Sequence, residues 1–150
     1  MNINDQNVKL EKNITDNSRE LNDARSQHNY TNIVIAEILE ILPHPNADRL
    51  RLAKVSDGAN AYSIVCGAPN IEVGQKVPLA KIGAIVGETV IAEATIRGEI
   101  SQGMLCSEHE LGLSDDHYGI LILDPDSIPG ESFALFLKSN PSLYSKKINE

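Results

Sequence analysis

Cys106 and His109 stand three positions apart in "MLCSEHELGL", the spacing of half a tetrahedral metal site, and His44 with Cys66 would complete four ligands. Nothing in the spacing brings those two pairs together, and the chain has no paired-Cys pattern, so neither a metal nor a cofactor is expected. A Cys–His nucleophilic pair lacks a third group to orient its base. The sequence also has no Gly-rich phosphate loop with its Lys and no Gly-x-Ser-x-Gly elbow. What remains are amides, hydroxyls and cations, groups that bind rather than react.

These binding groups fall into three clusters. In "HPNADRLRL", Pro45 and the preceding Pro43 stiffen the backbone, Asn46 and Asp48 can cap amides, and Arg49 leaves the corner as the next apolar alternation begins. That corner reads either as a rigid connection or as a loop that carries Asn46 and Arg49 toward a ligand. In "VCGAPN", a tight turn lets backbone approach a ligand closely and Asn70 offers both donor and acceptor, although simple chain reversal explains the turn equally well. Cys66 there reads as a small buried apolar residue. The third cluster is "RGEISQGMLCSEHELGL". Arg97 suits a phosphate, Ser101 and Gln102 suit a base edge or ribose hydroxyl, Gly98 and Gly103 permit unusual backbone angles, and Met104 offers a soft apolar face.

The elements that must hold these clusters read as short strands. "IVIAEILEIL" is stopped by Pro43, "LRLAKVS" runs to the Asp57-Gly58 turn, and "AYSIVC" ends at Gly67 and Pro69. "KVPLA" and "GETVIAEATIRG" supply two more, giving five strands with frequent turn signals, the pattern of a small all-β barrel or sandwich. "SEHELGL" is the one helix expected in the body, with Ser107 and Glu110 as its start and Gly112 as its stop, and "GILILDP" is expected to close against the barrel. With 41 % hydrophobic but only 4 % aromatic residues, the core must be built from Ile, Leu, Val and Ala. At 150 residues the chain holds one such core.

Residues 1–32 form an Asn-rich polar tract with too few apolar side chains to order it, and they are expected to be a disordered arm, a short amphipathic helix around Ser18 to Gln27 being the alternative. Residues 138–150 read as a flexible C-terminal tail, leaving 33–137 as the domain. The N-terminus has neither a basic start nor an apolar stretch behind it, so no signal peptide and no membrane span are expected. Two cysteines without a framework fit a reducing cytosol. A net charge of −8 means that any polyanion must meet a local cationic patch, with modest and salt-dependent affinity.

Taken in order, "HPNADRLRL", "IVCGAPN", "VGQKVPLAKIGA" and "IRGEISQGMLCSEHELGL" closely resemble the tRNA-binding domain in the beta subunit of bacterial phenylalanine-tRNA ligases. The resemblance runs from about Asn32 to Leu137. It implies an oligonucleotide-binding (OB) fold, a five-stranded Greek-key barrel, with tRNA as partner in the cytoplasm. The tRNA-binding residues expected on it are Asn46 and Arg49, Asn70, Lys76 and Lys81, and Arg97 with Ser101, Gln102, Gly103 and Met104. The resemblance covers the ligase's tRNA-binding domain alone, so the chain is expected to position tRNA without catalysis of its own, whether or not it counts as part of that enzyme. The ligase alpha subunit and self-association are the further partners implied. Between residues 33 and 138 carboxylates outnumber cations. That balance keeps a second reading open, a protein-interaction or dimerising scaffold derived from the same barrel with its RNA affinity lost.

Overall fold

A computed structural model of the chain describes residues 30–142. All of the expected arm except residues 30–32, and residues 143–150 of the expected tail, lie outside the described residues.

The Ile/Val run forms β1 (Ile33–Pro43), long enough to serve two neighbours. Its first half pairs antiparallel with β4 (Lys76–Lys81), Ile33 opposite Ala80, and its second half pairs with β2 (Arg51–Ser56), Ile41 opposite Ala53. A register irregularity between Ile38 and Glu40 bends the strand from one partner toward the other, as a bulge does. β3 (Ala61–Cys66) extends the sheet beyond β2, and β9 (Gly103–Leu105) extends it beyond β4, giving the order β3-β2-β1-β4-β9. Two small hairpins complete the strands, β5 (Ile85–Val86) with β6 (Thr89–Val90) and β7 (Ala94–Ile96) with β8 (Glu99–Ser101). The result is the expected nearly closed five-stranded antiparallel barrel.

Closure is made by side chains as much as by a ladder. β3 and the β8–β9 junction meet where the amide of Gln102 donates to Ser63 O at 2.8 Å and the amide of Ser63 donates to Gln102 Oε1 at 2.9 Å. One step along, the Val65 amide donates to Ser101 Oγ at 3.0 Å, and that hydroxyl donates to Gly103 O at 3.0 Å. A Cβ at Gly103 would lie 2.7 Å from Ala80 O, so only glycine lets β9 approach β4 this closely.

The core lies in two parts. Ile38, Val55, Ile64, Val77 and Leu79 fill the barrel. Below them Ile33, Ile35, Cys106, Leu111 and Leu113 meet a terminal helix, α1 (Phe133–Ser139), through Phe133 and Phe136. Tyr30 packs edge-on against Phe133 at 5.3 Å and donates to Leu111 O at 2.6 Å.

Two local expectations change. The "GETVIAEATIRG" tract is not one strand: β6 ends at Val90, the Ile91 amide donates to Ala84 O while its own carbonyl accepts from Gly83, and β7 begins only at Ala94, so the fifth strand of the sheet is β9. "SEHELGL" forms its predicted cap, with the Ser107 amide donating to Glu110 Oε1 and the Glu110 amide donating to Ser107 Oγ, yet it continues only as turns. Gly112 at φ 77° stops it, and the Leu113 amide folds back on Glu108 O. The helix lies instead at Phe133–Ser139, capped by Ser132.

Candidate nucleic-acid interface

The polar corner and the β7–β8 hairpin are one unit. His44 is buried, its Nδ1 accepts from the Asn46 amide at 2.9 Å, and so the proton sits on Nε2, which donates to Ile96 O at 2.9 Å. Asn46 Nδ2 donates to Arg97 O at 3.1 Å, and Arg97 Nη2 donates back to Asn46 O at 3.0 Å. The hairpin tip is the two-residue turn Arg97-Gly98, with φ 54° and 93°, the positive pair that a type I′ turn requires. Arginine in that conformation costs about 1–2 kcal/mol. The bonds to Asn46 hold it there, with Arg97 still exposed.

Between this latched rim and the face of β1, β2 and β3 runs a groove of about 490 Å³. Leu42, Leu52 and Ile100 make its apolar walls, while Lys54, Ser63 and Gln102 supply polar groups. Leu42 and Ile100 are about half exposed, at 48 % and 51 %, so the groove offers apolar surface beside a cation. Arg49 is exposed at the adjoining corner. Glu40 and Glu99 also line the groove and moderate its charge.

The structure divides the residues expected to touch RNA. Asn46 and Arg97 come together at the rim beside the groove residue Gly98, and Arg49 is exposed on the same corner loop as Asn46, none of the three lining the groove itself. Ser101, Gln102 and Gly103 sit at the barrel seam, Gln102 also lining the groove, and Met104 beyond them is half-buried against the lower core. Asn70 clamps the chain after β9, its Nδ2 donating to Ile120 O at 2.9 Å and its Oδ1 accepting from the Ile120 amide at 3.0 Å. Lys76 Nζ donates to Pro125 O at 2.7 Å. Lys81 stands 3.9 Å from Asp57 Oδ2. Burial works against the Asp57 charge, but the Asn60 and Ala59 amides, the Tyr62 hydroxyl and the Lys81 ammonium outweigh it and hold the carboxyl below its usual range.

Lys54, Leu42 and Ile100 are groove residues that the sequence reading did not single out. Lys54 alternates with buried Ala53 and Val55 on β2, so strand periodicity alone points it outward. Burial pushes both thiols up from the ordinary range, Cys106 the more strongly, so neither is a ready nucleophile. Among the described residues no three His, Cys, Asp or Glu side chains converge on a metal-sized site, and no helix is long and apolar enough to cross a membrane.

The tRNA binding domain family matches residues 33–132, which takes in the whole barrel with its rim. The chain belongs to that family. Among relatives of this domain, the phenylalanine-tRNA ligase beta subunit of Syntrophus aciditrophicus is 52 % identical over 106 residues, covering 70 % of this chain and 13 % of the relative. The corresponding subunit of Hahella chejuensis is 46 % identical over 115 residues, 76 % of this chain and 15 % of the relative. The tRNA binding domain thus spans only about a seventh of these relatives' length. An RNA ligase from Naegleria gruberi, solved as its E227A variant with ATP and Mn, matches with a TM-score of 0.51 at 15 % identity, over 71 % of this chain and 34 % of that one. That likeness concerns the fold alone.

Proposed function

We propose that this tRNA-binding module holds tRNA in the groove beneath the latched rim, with Arg49, Lys54 and Arg97 on phosphates and Leu42 and Ile100 against sugar or base. It positions tRNA and makes or breaks no bond. The observation that carries the reading is the latch itself, in which His44 and Asn46 hold an exposed arginine in a strained turn beside an open groove. Loops between the first strands and beside the late strands are where OB barrels take oligonucleotides. Family membership supports tRNA as the polyanion.

With the net charge at −8, binding rests on this local patch and is steeply salt-dependent. The relatives' designation as a beta subunit supports association with a ligase's other subunit, and action in the cytoplasm, as part of the same proposal. Titration of the full chain with bulk tRNA at two salt concentrations tests it. Retention at low salt that falls sharply at high salt is expected. No retention at either would overturn the proposal in favour of a protein-interaction scaffold.

A further inference from the structure

A second concavity, of about 550 Å³, lies between the end of β3, β9 and the segment that follows, and it shares no lining residue with the groove. That volume suits a small planar ligand rather than a side chain. Met104, Leu105 and Ile120 give it an apolar floor, and three rings stand around it, His109, His117 and Tyr118. His109 and His117 meet edge to face at 5.7 Å. Tyr118 is 76 % exposed, an unusual place for so large an apolar ring, but its backbone is fixed. Its amide donates to Asp116 Oδ1 at 3.0 Å, the Asp116 amide donates to Ser114 Oγ at 3.0 Å, and the His109 amide donates to Asp116 O at 2.9 Å. The Asn70 clamp on Ile120 fixes the opposite wall.

Charge decides what enters. The Glu110 carboxylate lines the pocket, and its Oε1 accepts from the Ser107 amide at 2.9 Å and from Ser107 Oγ at 3.1 Å. A carboxylate has lone pairs beyond those two, so it can accept from a further donor. Exposed Asp115 and Asp116 add to the negative field, which repels phosphate. A ligand that fits is flat, uncharged and bears amino hydrogens on one edge.

We propose that this pocket takes one unpaired nucleobase of the bound RNA, its face against Tyr118 and its amino edge toward Glu110. Cytosine, adenine and guanine carry that amino group and uracil does not. The proposal rests on the tRNA-binding reading, and the two are tested apart. In titrations of the full chain with bulk tRNA at low salt, Tyr118→Ala is expected to weaken binding about tenfold, and Tyr118→Phe to keep it, because stacking needs the ring and not the hydroxyl. The exposed position means that neither change should unfold the protein.

Single-stranded octamers of cytidine and of uridine give the second readout. The wild type is expected to bind the cytidine octamer several-fold more tightly, and Glu110→Gln to erase the difference, since an amide offers donor and acceptor alike while still accepting from Ser107. Wild-type affinity in Tyr118→Ala, or equal binding of the two octamers by the wild type, overturns the pocket. If Lys54→Glu still lowers tRNA affinity in that case, the groove reading stands without it. Absence of tRNA binding by the wild type removes both.

Discussion

The β8–β9 junction and the corner at residues 44–50 are both polar and glycine- or proline-rich, and they use their hydrogen bonds in opposite directions. At the junction, Ser101 and Gln102 turn onto Val65 and Ser63 and close the barrel where two strand edges lack a full ladder. At the corner, His44 and Asn46 bind the neighbouring hairpin, and the cations they carry are left facing solvent. A polar cluster is therefore a seam or a site according to whether the backbone beside it already has its partners. Leaving the part-buried Val65 amide without Ser101 costs about 1–3 kcal/mol, more than a surface contact to a ligand returns, so the seam claims that side chain first.

Substitutions can break this contrast. The largest effect is expected from Gly103→Ala, whose Cβ meets Ala80 O, with a stability loss of about 3 kcal/mol in thermal or urea unfolding. Next is Ser101→Ala, which orphans the Val65 amide and should cost about 1–3 kcal/mol while the folded protein keeps its tRNA affinity. If Ser101→Ala instead lowered affinity at unchanged stability, the seam would be a site. Charge reversal at the rim should do the converse. Arg49→Glu or Lys54→Glu is expected to move stability by no more than about 0.5 kcal/mol and to weaken tRNA binding about three- to tenfold, with a shallower salt slope.

The smallest expected effect concerns Asp57. Its carboxyl titrates lower in the folded state than an unperturbed aspartate does, so its contribution is present above the unfolded value and is lost as pH falls through the folded one. Stability measured from pH 6 down to 2 should therefore fall less steeply in Asp57→Asn than in the wild type, and identical slopes would remove Asp57 from the account.

The barrel was largely legible from the chain. An Ile/Val-rich run ending at Pro43, an alternating tract ending at the Asp57-Gly58 turn and a short apolar tract ending before Gly67 place β1, β2 and β3 within a residue or two of their observed bounds. α1 was missed although Phe133, Phe136 and Leu137 carry helical spacing behind Ser132, because two turns are too short for periodicity to stand out from a mixed tail. The candidate site was half legible. The corner and Arg97 could be picked out by residue type, but the bonds joining them span 51 positions, and no local pattern reports such a pairing. The same limit hid the internal partners of Lys76 and Asn70, which lie 49 and 50 positions away. Lys54 was the residue that strand alternation alone could have pointed outward.

The most direct test is a tRNA titration at low salt that sets the Arg49→Glu/Lys54→Glu double variant beside Ser101→Ala, with folding of each checked by thermal melting. Rim-borne binding predicts that the double variant melts like the wild type and loses most of its affinity, while Ser101→Ala melts early and binds normally. A double variant that holds tRNA as tightly as the wild type would contradict it.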